Sequence, residues 1–230
     1  MAEKLVIYTA IMGGIRDQTT RTLVPMSLRA KLSPDTRVVL ITDRDVPPDF
    51  PPVERGHWEL MAPKWIHPNP RRAARYHKLH PHLLFPDADM SVWIDGSQEM
   101  TADPRDIFDK YMRDRDISTF KHPERTCVYQ EQRACLRLKK DDPVKMKQQM
   151  DRYIAEGYPA FNGMVETTMT CRRHTPDVAR FNEAWWFEIQ KGSLRDQLSF
   201  NFVSWKLGIP YSHVPGCRDK SPYCKFYPHK

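Results

Sequence analysis

The first half of the chain alternates short apolar segments with segments of helical pattern. Apolar, β-branched runs that end in polar or turn residues are typical of buried strands, and apolar residues at three- and four-residue spacing are typical of helices. Strands are predicted at 4–10, 36–42, 91–94 and 116–120, with a short edge strand at 57–61. Helices are predicted between them at 19–31, 71–80 and 104–114. This alternation favours a mostly parallel sheet flanked by helices.

The second half of the chain is rich in helical patterns. Helices are predicted at 124–138, 143–156, 176–190 and 195–207. Asp103, Asp142 and Thr175 each stand directly before a proline, which is typical of a capped helix start. We find no internal repeat and no low-complexity linker. We therefore expect one α/β domain over residues 1–230, with a helix-rich C-terminal half.

The composition limits the partners of the protein. A net charge of +7 with a pI near 9.2 suits an anionic surface or a phosphorylated ligand. No long basic block is present, so nucleic acid is not expected as a partner. No segment approaches the ~20 apolar residues that span a bilayer, so only peripheral membrane contact is compatible with the sequence. Five cysteines without a CxxC pair indicate free thiols, and with no secretory signal we expect a cytoplasmic location.

Polar side chains follow three of the predicted strands. Strand 4–10 ends in Thr9-Ala10, strand 36–42 is followed by Asp43, and strand 91–94 is followed by Asp95-Gly96-Ser97. Ligands of open α/β sheets bind at the carboxyl ends of parallel strands. The alternative is ordinary turn chemistry, because Asp, Gly and Ser are frequent in turns. Together the three strand ends predict a ligand site.

Asp95 and the predicted helix before it are the most specific candidates for ligand binding in the first half of the chain. A carboxylate at a strand end, followed by glycine and a hydroxyl, can hold a divalent cation beside phosphate oxygens, whereas the alternative is an Asx turn. The predicted helix RRAARYHKLH (71–80) places Arg71, Arg75 and Lys78 on one face. These cations could meet a phosphate, or they could form a solvated basic face.

The candidate functional residues of the second half can also be explained by purely structural roles. Asp196 stands three residues after Ser193, which fits a capping box and would make Asp196 purely structural. Gln197 is not explained by capping. His122 and Glu166 lie beside β-like or loop segments, where polar residues are usually hydrogen-bonded turn groups. The chain contains no nucleophile elbow, P-loop, HExxH or complete GxGxxG motif, which argues against common hydrolases, kinases and dinucleotide reductases.

Several stretches together resemble a known family. They are SVWIDGS, KHPERTCVYQE, QQMDRYIAEGYP, ETTMTCRRHTP and SLRDQLSF. They resemble a glycosyltransferase-like domain family known from plant mucilage-related proteins and from bacterial relatives. The order and spacing of the stretches extend the resemblance over about residues 70–205. The resemblance implies a GT-A-like fold, which is a nucleotide-sugar-binding α/β sandwich.

The resemblance also implies a donor site. GT-A enzymes commonly carry a D-x-D motif that holds manganese against the donor diphosphate, and here Asp95-Gly96-Ser97 keeps only the first Asp. We therefore expect the site to bind Mn²⁺ or Mg²⁺ only weakly when no donor is present. By the same resemblance, the following residues would contact the donor: Thr9, Ala10, Asp43, Arg75, Lys78, Asp95, Gly96 and Ser97.

The resemblance extends to the sugar and the acceptor. SLRDQLSF is similar to a motif of some retaining GT-A enzymes that places Asp196 and Gln197 near the anomeric carbon. Glu166 is a second catalytic candidate, and the acceptor would meet Asn162 and His122. A late histidine commonly completes the metal shell; this would be His229 or its rival His213.

The resemblance thus predicts a glycosyltransferase. It would move a sugar from a nucleoside-diphosphate sugar to a hydroxyl of a glycan or lipid-linked acceptor. One alternative is a metal-dependent hydrolase that uses Asp95, Glu166 and His229. Another is a non-catalytic nucleotide-sugar-binding module on a degenerate GT-A scaffold, which the serine at position 97 makes plausible.

Overall fold

A seven-stranded sheet forms the centre of the protein. The computed structural model describes residues 3–13, 24–45 and 58–228. The strands are β1 (Leu5–Ile11), β2 (Thr36–Thr42), β3 (Glu59–Met61), β4 (Met90–Ile94), β5 (Gln98–Met100), β6 (Ile117–Lys121), β7 (Val165–Arg173), β8 (Ser212–Val214) and β9 (Cys224–Phe226). The central sheet has the order β3-β2-β1-β4-β7-β6-β8, and β5 pairs with β9 in a second, small sheet.

Eight helices are described around the sheet. They are α1 (Met26–Arg29), α2 (Pro70–Leu79), α3 (Pro81–Leu84), α4 (Arg105–Tyr111), α5 (Val128–Arg137), α6 (Pro143–Ala155), α7 (Pro176–Lys191) and α8 (Gln197–Leu207). The start of α6 is capped as predicted, because the Asp142 carboxylate accepts from the backbone N–H groups of Val144 and Lys145. The Thr175 hydroxyl caps α7 in the same way at Val178.

The sheet is mostly parallel, as predicted. Strands β3, β2, β1 and β4 run in the same direction, and β6 is parallel to β8. β7 is the exception, because it runs antiparallel to both β4 and β6. The start of β7 therefore lies at the same sheet edge as the carboxyl end of β4. This juxtaposition builds the candidate site.

The predicted strands of the first half agree with the structure within one or two residues. β2 has the predicted bounds, and β4 is buried on both faces, which explains its continuous apolar sequence. Val92 and Ile94 belong to one hydrophobic cluster, whereas Trp93 packs with Tyr8 and Phe85 on the other face. Residues 19–23 of the first predicted helix lie outside the described residues.

β7 was not predicted as a strand. Its sequence VETTMTCRR has polar residues at buried positions, so it shows neither a clean alternation nor an apolar run. A bulge shifts its register against β6 between Thr119 and Phe120. The Thr119 hydroxyl lies across this bulge, 3.1 Å from the carbonyl of Glu166 and 2.7 Å from that of Met169. Bulges of this kind are frequent beside active sites, because they re-aim the side chains.

Candidate active site

A pocket of about 380 Å³ lies where β4 ends and β7 begins. Seven of the residues singled out from the sequence line it: Arg75, Asp95, Ser97, His122, Glu166, Asp196 and Gln197. They come from α2, the β4–β5 turn, the loop after β6, β7 and the start of α8. Residues more than 100 positions apart in sequence thus face one cavity.

A buried ion cluster forms one wall of this pocket. The Lys78 ammonium lies 2.5 Å from Asp196 Oδ2, and Arg75 Nε lies 3.3 Å from Asp196 Oδ1. The side chains of Lys78 and Asp196 are 1% and 3% exposed. Lys78 Nζ also donates to the Thr167 carbonyl at 2.6 Å, and the Thr167 hydroxyl donates to Asp196 at 2.9 Å. Each buried charge therefore has close partners, as burial of charge requires.

Burial and the neighbouring charges oppose each other in this cluster. Burial alone would raise the pKa of Asp196, but the charges of Arg75 and Lys78 hold it well below its ordinary value. Burial lowers the pKa of Lys78, although Asp196 and Asp95 oppose this. Burial would also lower the pKa of Arg75, but the same two carboxylates raise it. Asp196 is accordingly a fixed anion at neutral pH.

The capping-box alternative for Asp196 is not what the structure has. Asp196 stands at the N-cap of α8, but its side chain makes no capping hydrogen bond. The Ser193 hydroxyl instead accepts from the Arg195 N–H and donates to Asp141. The carboxylate of Asp196 is instead turned toward α2, where it pairs with Lys78 and Arg75 at the pocket wall.

Asp95 lies at the end of β4, as predicted, with its side chain 26% exposed. Its Oδ1 accepts a 2.6 Å hydrogen bond from the Trp93 indole and lies 3.7 Å from Lys78 Nζ. Its backbone N–H bonds the Thr168 carbonyl, which ties β4 to β7. Asp95 therefore shares Lys78 with Asp196.

The described residues do not fit a metal centre built by the protein alone. Asp95 supplies one carboxylate, one oxygen of which already meets an indole N–H and an ammonium group, and Ser97 supplies only a neutral hydroxyl. Across residues 3–13, 24–45 and 58–228, no three His, Cys, Asp or Glu side chains come together as metal ligands. His213 lies on β8 beside the Thr119 carbonyl and does not line the pocket. Mn²⁺ or Mg²⁺ stays a prediction.

The small sheet brings the C-terminal segment to the turn after β4. The backbone N–H of Tyr227 donates to the Ser97 carbonyl at 2.8 Å, and Phe226 lines the pocket. His229, the preferred late histidine, lies outside the described residues. The C-terminal segment therefore contributes one wall of the site.

Glu131, which was not among the predicted site residues, contacts several side chains of one pocket wall. Its Oε1 accepts from the Gln197 amide at 2.6 Å, and its Oε2 is bound by Arg125 and lies 3.4 Å from His122 Nε2. Burial would raise the pKa of Glu131, but hydrogen bonding to His122 and the charge of Arg125 lower it to about 2. His122 and Gln197 are thus held by the same buried carboxylate. The helical pattern alone does not single out Glu131, although this residue ends the stretch KHPERTCVYQE that resembles the family.

Glu166 occupies a different environment on the opposite wall. One of its oxygens accepts from the Arg218 backbone N–H at 3.2 Å, and the other lies 3.7 Å from the Arg218 guanidinium. Burial raises the pKa of Glu166 above its ordinary value, although Arg218 opposes the shift. The Arg218 side chain pairs with Asp219 and stacks on Phe226. Glu166 can therefore exchange a proton more readily than Asp196.

Two cations of the pocket were also missed. Among the described residues, neither Arg195 nor Lys140 forms an ion pair, although both line the pocket. Arg195 donates only to the neutral Gln197 amide oxygen, at 3.2 Å. Within the described structure, positive charge that has no carboxylate in direct contact is therefore available at this end of the site.

The remaining predicted residues lie outside the pocket wall. Lys78 is buried behind it, and Thr9 and Ala10 are buried in β1. Asp43 accepts the Gly13 backbone N–H at 3.0 Å, which links the ends of β1 and β2. Gly96 lies in the turn after β4, and Asn162 is exposed before β7. The donor and acceptor roles of these residues stay predictions.

Comparisons with known proteins identify the family of the chain. A family model described as TOD1/MUCI70, glycosyltransferase-like domain, matches residues 39–215. The chain belongs to this family. The TOD1/MUCI70 match includes every pocket residue except those of the C-terminal segment, Arg218, Asp219 and Phe226.

Two curated relatives come from Arabidopsis thaliana. Probable hexosyltransferase MUCI70 is 30% identical over 166 residues, which are 66% of this chain and 28% of that protein. Alkaline ceramidase TOD1 is 27% identical over 133 residues, which are 53% of this chain and 29% of that protein. The chain thus spans less than a third of the length of these relatives.

Solved glycosyltransferase structures share the fold. The apo structure of the bifunctional glycosyltransferase WbbM matches with a TM-score of 0.56 at 11% identity, over 93% of this chain and 39% of that one. Mouse xyloside xylosyltransferase 1 matches with a TM-score of 0.51 at 9% identity, over 91% of this chain and 83% of that one. The GT-A-like fold is therefore confirmed. No helix within the described ranges is long and apolar enough to cross a membrane.

Proposed function

We propose that this chain transfers a sugar from a nucleoside-diphosphate sugar to a hydroxyl group of a glycan or lipid-linked acceptor. The observation that carries the proposal is the convergence of Asp95, Glu166, Asp196 and Gln197 on one pocket in a glycosyltransferase-like domain. The relative MUCI70 is named a probable hexosyltransferase, which supports a hexose as the transferred group.

Asp196 and Gln197 are proposed to hold the sugar. Asp196 is fixed between two cations, so its carboxylate can accept sugar hydroxyl groups without changing its charge. The amide of Gln197 is oriented by Glu131 on one side and Arg195 on the other. Such preorganised groups lower the cost of positioning the reacting carbon.

Glu166 is proposed to take the proton of the acceptor hydroxyl. Its raised pKa makes it a better base than an ordinary glutamate, provided that it is ionised at the working pH. The acceptor oxygen bonds to the anomeric carbon, the bond to the diphosphate breaks, and the diphosphate leaves with the electron pair. Asp196 is unsuited to this role because its neighbours hold it as a weak base.

The departing diphosphate requires positive charge. Arg75, Arg195 and Arg218 line the pocket and can stabilise the charge that develops there. If a divalent cation takes part, Asp95 and Ser97 are the described residues that would face it, and the donor would have to supply further ligands. No step above depends on such an ion.

Donor binding and turnover test the proposal directly. Uridine, guanosine, adenosine and thymidine diphosphates and their sugars would be titrated with manganese and with a chelator, and followed by thermal shift and calorimetry. Turnover would be followed as nucleoside diphosphate released with and without glycan acceptors. At least one donor should bind and turn over; absence of binding to every donor would refute the proposal.

Two matched variants separate the roles. Glu166→Gln should keep donor affinity and lose turnover by about 10²–10⁴-fold, the usual contribution of a general base. Asp196→Asn should weaken donor binding itself. Glu99→Gln, outside the pocket, is the control and should change neither quantity. Equal activity of Glu166→Gln and the control would remove Glu166 from the mechanism.

A metal-dependent hydrolase has no specific observation in its favour. It would need three firm protein ligands; Asp95 and Glu166 line the pocket, and His229 lies outside the described residues. The donor assay still distinguishes this case, because a hydrolase would release free sugar at a rate that no acceptor changes.

A further inference from the structure

Arg172 of β7 is a buried cation to which the proposed reaction gives no role. Its side chain is 0% exposed, and none of the described carboxylates forms an ion pair with it. Two of its nitrogen atoms, Nε and Nη2, have no hydrogen-bond partner among the described residues. Burial of a charge with so few partners costs stability, and an apolar side chain of similar volume would avoid this cost. The position of this guanidinium therefore points to a role other than stability.

The third nitrogen of Arg172 meets the end of helix α2. Nη1 donates to the Lys78 carbonyl at 3.0 Å and to the Tyr8 hydroxyl at 3.1 Å. The Tyr8 hydroxyl donates to the same carbonyl at 2.9 Å, and burial raises the pKa of Tyr8 to about 12, so this donor stays protonated. The last carbonyls of a helix lack intrahelical partners and carry partial negative charge. Two donors, one of them a cation, therefore hold the backbone of Lys78.

Arg172 also reaches Asp196, the partner of Lys78, through one aromatic ring. Its Cζ lies 5.7 Å from the centre of the Trp185 ring, which is a cation–π contact. The indole N–H of Trp185 donates to the Asp196 carbonyl at 2.9 Å. Arg172 thus contacts the backbone of Lys78 directly and supports the backbone of Asp196 through Trp185.

Tyr8 extends this arrangement to Asp95. The ring of Tyr8 packs edge-on against Trp93, with the ring centres 5.3 Å apart. The Trp93 indole donates to Asp95 Oδ1 at 2.6 Å, and Lys78 Nζ lies 5.6 Å from the centre of the Trp93 ring. The carboxylate at the end of β4 is therefore supported by the same tyrosine that holds the carbonyl of Lys78.

We propose that Arg172 is a positioning residue for sugar transfer, which together with Tyr8 keeps Lys78 and Asp196 in their places at the pocket wall. This inference rests on the proposed function, in which Asp196 holds the sugar of the donor. Neither Arg172 nor Tyr8 lines the pocket, so both act through the residues that they hold. Loss of this support misplaces the sugar and leaves binding of a nucleoside diphosphate, which has no sugar, unchanged.

Arg172→Met separates positioning from stability. Methionine is apolar and similar in volume, so the melting temperature should stay within a few degrees of the wild-type value. Against the uridine, guanosine, adenosine and thymidine diphosphates and their sugars, kcat should fall about tenfold or more, because small misplacements of a positioning group are costly. Affinity for the sugar-bearing donor should also fall, whereas affinity for the nucleoside diphosphate, measured with a chelator, should not change.

Arg173→Met is the matched control for this variant. Arg173 is the next residue of β7, so its side chain points to the opposite face of the sheet, where it lies 5.5 Å from the centre of the Phe108 ring. It should keep the wild-type kcat and both affinities. Equal kcat in the two variants would overturn the proposal. A large fall in melting temperature of Arg172→Met, with kcat and affinities of the folded protein kept, would assign Arg172 to stability alone and overturn it too.

Tyr8→Phe tests the second donor with a smaller change. It removes one hydroxyl and keeps the ring beside Trp93, so it should show the same loss of kcat and sugar-bearing donor affinity to a smaller extent. Tyr129→Phe is the control, because its hydroxyl donates to the Tyr158 carbonyl at 2.8 Å outside the pocket. Identical kinetics of the two tyrosine variants would overturn the joint role of Tyr8 and Arg172.

A spectroscopic measurement keeps this test independent of the proposed function. The ¹⁵N–¹H signal of the Trp185 indole reports its hydrogen bond to Asp196, and in Arg172→Met it should move upfield and exchange faster with water. The Trp205 indole signal should keep its position. An unmoved Trp185 signal would overturn the proposal whatever the activity. If no donor binds to the wild-type chain, the proposed function fails, and the Trp185 signal alone decides whether Arg172 holds Asp196.

Discussion

The two acidic residues that face the pocket from opposite walls, Asp196 and Glu166, are held in opposite ways. Asp196 lies between two cations, and its pKa is far below the ordinary value. Glu166 meets one backbone N–H and a guanidinium at 3.7 Å, and its pKa is above the ordinary value. The same chemical group is thus a permanent anion on one wall and a proton acceptor on the other.

The difference follows from the elements that build each wall. Asp196 faces α2, a helix packed on the sheet, and its partner Lys78 is buried. Glu166 faces the loop between β8 and β9, whose residue Arg218 is about one third exposed. Buried cationic partners keep a carboxylate ionised, whereas a partly exposed loop allows the carboxylate to gain or lose a proton. The predictions below run from the largest expected effect to the smallest and test the buried groups at Asp196 and Glu131 and the loop at Gly216 and Arg218.

The largest effect is expected from Asp196→Asn. This change leaves Lys78 and Arg75 in the interior with only Asp95 nearby, and removing one partner of a buried ion pair costs about 3–5 kcal/mol of unfolding free energy. Urea denaturation at pH 7 measures the loss. Asp106→Asn, which removes an exposed pair with Lys110, is the control and should cost less than about 1 kcal/mol. Equal stability of the two variants would contradict the role of the buried cluster.

A smaller effect is expected from Gly216→Ala, at the base of the loop that carries Arg218. Gly216 has φ +83, and a Cβ there would lie 1.9 Å from the Lys220 carbonyl oxygen. The left-handed backbone and the clash together should cost about 2–4 kcal/mol. Gly157→Ala is the matched control, since its φ is +80 but no atom lies within 4 Å of the added Cβ. The loop is less constrained than proposed if both variants lose the same stability.

The pH dependence of stability should report Glu131. Its pKa is lowered to about 2 in the folded protein, so its stabilising contribution is present above pH 4.5 and is lost as the pH falls toward 2. Glu131→Gln should lower the unfolding free energy at pH 7 by about 1–3 kcal/mol and make it less dependent on pH in this window. Denaturation curves between pH 2 and 7 test this. An unchanged pH slope in the variant would assign the acid sensitivity to other carboxylates.

The smallest stability effect, and the sharpest test of the loop, comes from Arg218→Ala. The pair with Asp219 is exposed, so the loss should be about 0–1 kcal/mol. The guanidinium lowers the pKa of Glu166, so its removal should raise that pKa further and move the acidic limb of the activity profile to higher pH. Carboxyl NMR titration measures the shift. A fall in the Glu166 pKa would show that the Arg218 side chain raises this pKa by shielding Glu166 from water more than its charge lowers it.

The sequence predicted those parts of the fold whose signals are local. β2 was found with its bounds, and β4 was found within one residue, because each is an apolar run with clear ends. β7 was missed because its buried polar residues find partners far away in sequence: Thr167 meets Lys78 and Asp196, and Arg172 meets Tyr8. Long-range satisfaction of polar groups leaves no local pattern.

The candidate site shows the same difference between local signals, which the sequence reveals, and long-range contacts, which it does not. The strand end at Asp95 and the helix start at Asp196 could be located from the sequence, but the partner of Asp196 could not, because Lys78 lies 118 positions earlier. A capping box was a sufficient local explanation for Asp196, and only the fold shows that Ser193 turns to Asp141 instead. Glu131 ends the stretch KHPERTCVYQE, but that stretch does not predict its contact with Gln197, which exists only once α5 packs beside α8.

The position of Lys78 has a thermodynamic consequence. Its ammonium lies 2.5 Å from Asp196 and 3.7 Å from Asp95, so one positive charge is divided between the two ends of the pocket. A ligand that draws this charge toward Asp95 weakens its hold on Asp196, and reciprocity requires the reverse effect to be of equal size. Two substrates that occupy these ends would then sense each other without touching. The size of this coupling would be the same whichever of the two substrates binds first.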